Sequence, residues 1–141
     1  MGNGRDLVTR WTKALSDHDL EAAVSCFHPD YRDEAPARTG EIVAGREQVR
    51  QNFARLLGGV PDLRAEILSL VEDGETVWLE WRLQGTRPDG SSMTFVGVNI
   101  FGVADDLLAW GRIYTELVRD AGGAVAQVDR MTRAEAEGPR T

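Results

Sequence analysis

Residues 45–67, GREQVRQNFARLLGGVPDLRAEI, hold the change of period that decides the fold. Val49, Phe53, Leu56 and Leu57 recur three and four apart, which predicts a helix from about Gly45 to Leu57. Gly58 and Gly59 can supply a left-handed C-cap, and Pro61 cannot continue a helix. Beyond Pro61 the period drops to two: Leu63, Ala65 and Ile67 alternate with Arg64 and Glu66, the pattern of a half-buried strand.

Downstream the period stays at two. Asp73-Gly74 is a hairpin turn signal. Val77, Leu79, Trp81 and Leu83 then alternate with Trp78, Glu80, Arg82 and Gln84. Pro88-Asp89-Gly90 predicts the next turn, Met93 to Val103 a long strand, and Ala104-Asp105-Asp106 a turn into a last strand from about Leu107 to Val118. Strands of about ten residues coil strongly, and Gly85, Gly97 and Gly102 are places where they can bend. After Gly122-Gly123 a short helix is expected through Met131, with a frayed tail over 132–141.

Upstream the pattern is helical. Leu7, Trp11, Ala14 and Leu15 predict a helix over Asp6 to Ser16. Asp19 can cap a second helix whose apolar stripe is Leu20, Ala23, Val24 and Phe27, ended by His28-Pro29. Tyr31 to Glu34 predicts a short strand, and Ala35 to Ala44, with Pro36, Gly40 and no period, a loop. Helices gathered ahead of strands define an α+β domain, not alternating βαβ units. A bent sheet with helices on its concave face leaves enclosed space, a core or a pocket according to its inward side chains.

The chain has 141 residues, which suits a single domain over 1–131 able to bury roughly two-thirds of its unfolded surface. Its net charge of −7 and scattered basic residues argue against a nucleic-acid partner. No apolar run approaches a membrane span, and the amino terminus has no apolar signal core, so the chain reads as cytoplasmic. The single cysteine, Cys26, lies in an apolar context and is expected to be a buried, inert thiol. Neither metal-ligand spacing nor a Gly-rich phosphate loop is present, so no metal or organic cofactor is expected.

Six segments, in this order, resemble the nuclear transport factor 2-like superfamily, and within it the SnoaL-like group of polyketide cyclase relatives. They are Asp17 to Glu21, Phe27 to Asp33, Gly45 to Val49, Pro61 to Leu63 with Glu80 to Thr86, Gly97 to Phe101, and Arg112 to Glu116. The resemblance covers about residues 5–118. It implies a cone in which three N-terminal helices pack on a strongly curved antiparallel sheet and enclose a pocket. It also implies a homodimer.

Tyr31 and Asp33, two apart on a strand, share a face. Turned inward, the carboxyl would have its pKa raised by burial and could serve as acid or base. Asn99 interrupts the apolar run from Val96 to Phe101, and a buried amide must find partners: Asp33, a ligand, or a cross-strand bond. Phe95 and Phe101 share its face. His28, next to Tyr31, is a candidate proton shuttle, with a helix-ending role as the alternative. The limonene-epoxide-hydrolase branch of the resemblance implies that the face of Trp81 and Leu83 is inward, with an arginine and an aspartate where those two residues stand. It implies a further essential aspartate at Ile113, where SnoaL-like cyclases also place an acid, and a tyrosine and an asparagine at Tyr31 and Asp33. This chain therefore lacks the acid–base triad, and Trp81, Leu83, Phe95, Phe101 and Ile113 are expected to wall a greasy pocket.

Glu80 and Arg82 fall on the face opposite Trp81, and Trp110, Arg112, Tyr114 and Glu116 share a face; Arg112 with Glu116 or with Glu80 would make a catalytic ion pair, but a salt-bridge ladder on the outer sheet face is the better reading. Exposed Trp78 and Trp110 there suggest that two copies meet through the outer sheet face. Two functions fit. One is an enzyme acting on a small, largely apolar molecule by cofactor-free acid–base chemistry: cyclisation, isomerisation, dehydration or hydration. The other is a non-catalytic binding or dimeric scaffold domain.

Overall fold

A computed structural model describes residues 3–119 and 122–137. Helix α1 (Gly4–Ser16) buries the predicted stripe of Leu7, Trp11, Ala14 and Leu15, with Val8 beside it. Helix α2 (Leu20–Val24) begins at Asp19, whose carboxylate accepts the Ala22 N–H at 3.1 Å. Strand β1 (Phe27–Glu34) and strand β2 (Ile42–Ala44) follow, then helix α3 (Arg46–Gly59). Four long strands complete the sheet: β3 (Arg64–Asp73), β4 (Thr76–Thr86), β5 (Ser92–Ala104) and β6 (Leu107–Leu117). Helix α4 (Gly123–Glu137) continues past Met131, where the sequence placed its end, so the tail expected to fray from Thr132 is helical as far as Glu137. Residues 138–141 lie outside the described residues. Among the described residues no helix is long and apolar enough to cross a membrane.

The six strands form one curled, unclosed sheet in the order β2-β1-β6-β5-β4-β3. Helix α1 packs across β3 to β6, and α3 lies against β1 and β2. Consecutive strands from β3 to β6 pair as antiparallel hairpins. The turn into β6 puts Asp105 and Asp106 at φ of 54° and 60°, the positive pair that a two-residue hairpin loop requires. Two features depart from the sequence reading. The sheet is not wholly antiparallel, because β1 runs parallel to β6. The stretch from Ala35 to Ala44 also ends in strand β2, which pairs Asp33 with Val43.

The second helix is shorter than its apolar stripe suggests. It stops at Val24, and Phe27 already belongs to β1. Tertiary hydrogen bonds override the local period here. The Leu108 N–H donates to Cys26 O at 2.9 Å. The Arg46 guanidinium donates from Nε and Nη2 to Phe27 O, at 2.8 and 2.6 Å. An arginine at the start of α3 thus fastens the first residue of β1, and charged donors make stronger hydrogen bonds than neutral ones. Replacing the side chain by one that keeps its stem but lacks donors, Arg46→Met, is expected to cost about 1–3 kcal/mol of folding stability. Urea titration measures it, and Arg46→Lys should recover only part of the loss, because one ammonium cannot reproduce the forked geometry.

Candidate functional site

The curl of the sheet leaves a cavity of about 470 Å³ between its concave face, α1, α3 and residues 35–43. Tyr31, Asp33, Trp81, Leu83, Phe95, Asn99, Phe101 and Ile113 all line it, so eight of the nine residues singled out in the sequence come together. The alternation of each strand accounts for this, because residues two apart fall on one face. Register aligns the rows across strands: Asp33 beside Gly111, Gly111 beside Phe101, Asn99 beside Ile113, and Leu83 beside Phe95.

His28 is the exception. Its Nε2 lies 3.1 Å from Asp105 Oδ2, and its Nδ1 accepts the Asp30 N–H at 3.0 Å. With Nδ1 an acceptor, Nε2 carries the proton and donates to Asp105. The imidazole ties β1 to the β5–β6 turn and does not line the cavity. His28 and Tyr31 are three residues apart on β1, so alternation puts them on opposite faces, while Phe27, four residues from Tyr31, shares the inward one.

Tyr31 is buried and donates its hydroxyl proton to Asp33 Oδ2 at 2.7 Å. The hydroxyl fits there because Gly111 has no side chain: a Cβ at that position would lie 2.7 Å from the Tyr31 oxygen. Burial pushes the Tyr31 pKa well above its ordinary value, and the Asp33 charge and the hydrogen bond to it push the same way. Tyr31 therefore stays a neutral donor. Burial also raises the Asp33 pKa, opposed by the bonds from the Tyr31 hydroxyl and the Val43 N–H. The result is an oriented carboxyl, half-buried in a mostly apolar hollow, more ready to hold a proton than an ordinary aspartate.

Across the sheet runs a second polar device. Trp81 Nε1–H donates to Thr115 Oγ1 at 2.7 Å, and the Thr115 hydroxyl donates to Asn99 Oδ1 at 2.8 Å. Trp81 pairs with Gly97 and Gly97 with Thr115, so the indole spans from β4 to β6 across a residue without a side chain. Gly97 takes a φ of 150°, and a Cβ there would come within 2.3 Å of Tyr114 O. The partner of Asn99 is thus the cross-strand hydroxyl rather than Asp33, which lies two strands away, about 10 Å at the backbone.

Several lining residues escaped the sequence reading. Trp11 on α1 and Phe53 on α3 belong to helical stripes, which mark core and pocket alike. Thr115 is a lone hydroxyl between inward Ile113 and Leu117; its position opposite Asn99 was the one available signal. Arg38 and Glu41 sit in an aperiodic loop, where only their opposite charges three residues apart hint at a contact. Arg38 Nε donates to Glu41 Oε2 at 2.7 Å, and its Nη1 donates to Glu116 and toward Thr115 O. Cys26 is buried, as expected, and burial pushes its thiol pKa up. Among the described residues no three His, Cys, Asp or Glu side chains gather as a metal site needs.

With this geometry in place, comparison with known proteins gives the class. Residues 8–110 match the SnoaL-like domain, and the chain belongs to that family. No curated protein matches the sequence. Solved structures share the fold. A provisionally named SnoaL-like polyketide cyclase from Jannaschia sp. CCS1 superposes with a TM-score of 0.66 at 22% identity, covering 79% of this chain and 83% of that one. AclR from Streptomyces galilaeus, provisionally a hydroxylase, gives a TM-score of 0.68 at 16% identity over 94% of this chain and 93% of its own. A protein of ketosteroid isomerase-like fold from Catenulispora acidiphila, in complex with trimethylamine, gives 0.64 at 19% identity over 81% and 86%. At such identities the likeness establishes the nuclear transport factor 2-like fold and nothing finer.

The raised Asp33 pKa has a thermodynamic consequence. The unfolded carboxyl titrates near pH ~4. In the folded chain it holds its proton to higher pH, so the folded state loses stability as pH rises through that interval. Asp33→Asn cannot titrate. Its stability relative to the unaltered protein is expected to rise as pH climbs above about 4 and then level off. Thermal melts across the acid range measure it, and a difference independent of pH would refute it.

Proposed function

We propose that the cavity takes up a small, largely apolar molecule and that Asp33 acts on it as acid or base, without an organic cofactor or metal. The carrying observation is the Tyr31–Asp33 pair at 2.7 Å, set in a cavity whose wall is otherwise mostly apolar. Tyr31 holds the carboxyl in one orientation, and burial shifts it toward its protonated form, the direction in which a carboxyl becomes a better general acid–base group. Asn99 orients the substrate from the same sheet face, two strands away. Chemistry of this kind is isomerase- or lyase-like: cyclisation, isomerisation, dehydration or hydration in small-molecule metabolism, carried out in the cytoplasm.

One observation favours a second reading, a binding domain without turnover. Ile113 lines the cavity where the resemblance implies an acid, which leaves the proposed proton transfer to Asp33 with the Tyr31 hydroxyl beside it. Native mass spectrometry of the purified protein identifies a retained small molecule and hence a starting substrate. With it, Asp33→Asn is expected to lower kcat roughly 100-fold or more and leave affinity within a few-fold, and Tyr31→Phe to act less severely. Unchanged turnover in Asp33→Asn would overturn the role given to Asp33, and absence of any turnover of the retained molecule by the unaltered protein would favour binding alone.

The outer sheet face supports a homodimer in this proposal. Trp78 is 46% exposed and Tyr114 41%, on neighbouring rows of the same face. Trp110 contributes less than its sequence position suggests: its indole packs over Gly102, and the Arg112 guanidinium stacks on it at 4.9 Å. Of the expected ladder, Arg82 pairs with Glu66 at 2.9 Å, while Glu116 takes Arg38 instead of Arg112. Light scattering is expected to give twice the chain mass, and Trp78→Asp to give a folded monomer.

A further inference from the structure

The direction of every hydrogen bond in the Trp81–Thr115–Asn99 chain is determined by its first member. An indole N–H can only donate, so Thr115 Oγ1 must accept at that end. The one hydroxyl proton then goes to Asn99 Oδ1 at 2.8 Å. The reversed amide would leave that proton without an acceptor in a residue only 6% exposed. The side-chain oxygen of Asn99 is therefore held against Thr115, and its N–H2 is the free end of the chain.

Among the described residues that N–H2 has no hydrogen-bond partner, yet it is not among the buried polar atoms sealed from access. Asn99 is itself only 3% exposed and lines the cavity, so the open space beside its N–H2 is the cavity. Two donors upstream polarise the amide and strengthen what its N–H can offer. Beside it on the sheet face stand its register partners Leu79 and Ile113 and, two residues on, Phe101, none of which can accept a proton. A ligand hydroxyl placed among these three would find a donor but, from them, no acceptor for its own proton. A carbonyl oxygen needs only the donor.

We propose that the cavity is a site for an apolar ketone-class ligand whose carbonyl oxygen is held by Asn99 Nδ2, with Thr115 and Trp81 as positioning residues that lock the amide in the donating orientation. This rests on the reading that the cavity takes up a small molecule, and it adds the polarity of that molecule and the residues that enforce it.

The test compares two probes of nearly equal shape, 2-acetylnaphthalene and 2-isopropenylnaphthalene, which differ in a C=O replaced by C=CH2. Titration calorimetry on the unaltered protein is expected to show the ketone binding roughly tenfold more tightly. The carbonyl stretch of the bound ketone should shift to lower wavenumber. Thr115→Val should abolish both the tenfold preference and the shift, and Thr115→Ser should restore them. Equal affinities for the two probes, or a shift that persists in Thr115→Val, would overturn the carbonyl assignment and leave uptake by the cavity standing. Failure of both probes to bind would overturn uptake and the assignment together.

Discussion

The Trp11 indole is the contact on which the rest of the structure leans. It meets Phe27 and Phe101 edge-on, with centroids 5.7 and 5.4 Å away, and Trp81 and Phe53 at a tilt, 4.8 and 5.8 Å away. One side chain from α1 thus touches β1, α3, β4 and β5. Edge-on and tilted rings satisfy the aromatic quadrupole while burying a large apolar area. The same ring forms the floor of the cavity. Rigid aromatic side chains cannot mould themselves to fill a curled sheet, so the space they leave is a property of the packing itself.

The hydroxyl, carboxyl and amide-oxygen groups buried in this apolar hollow partner one another, whereas among the described residues the Trp11 indole N–H has no partner and the Asn99 N–H2 is left to the cavity. Burying a lone hydroxyl, amide or carboxyl costs several kcal/mol unless it is hydrogen-bonded. Tyr31 and Asp33 partner one another, and Trp81, Thr115 and Asn99 form a chain. Both devices depend on a glycine in the neighbouring strand, Gly111 under the tyrosine hydroxyl and Gly97 between the indole and the threonine. Trp81 joins the second of these to the aromatic cluster, resting its ring on Trp11 and giving its N–H to Thr115.

The open edge of the sheet shapes the mouth of the cavity. The pairing of β1 with β6 ends at Glu34 beside Arg112, leaving the last residues of β6 without a strand on that side. An unpaired edge invites association unless something covers it. Arg38 does so, reaching across from a loop closed by mutual backbone bonds among Ala35, Arg38 and Glu41. The loop that protects the edge also lines the cavity.

What could be read without coordinates followed from local periodicity. Helices α1 and α3 and the hairpins from β3 to β6 each carry an uninterrupted apolar period bounded by turn residues. Alternation placed Trp81 with Leu83 on one face of β4 and Phe95, Asn99 and Phe101 on one face of β5, and the family resemblance implied that the first of these faces is inward. The stretch from Phe27 to Ala44 resisted such reading. Its course depends on a parallel partner some eighty residues later and on the Arg46 clasp, and nothing local records either. The same limit applies in the cavity. Sequence alone could state that Tyr31 and Asp33 share a face and that Asn99 needs a partner. Tertiary structure decided that His28 turns to Asp105, that Arg38 covers the free edge of β6, and that Thr115 holds Asn99, because each of these bonds joins residues distant in the chain whose meeting is set by strand register and sheet curl.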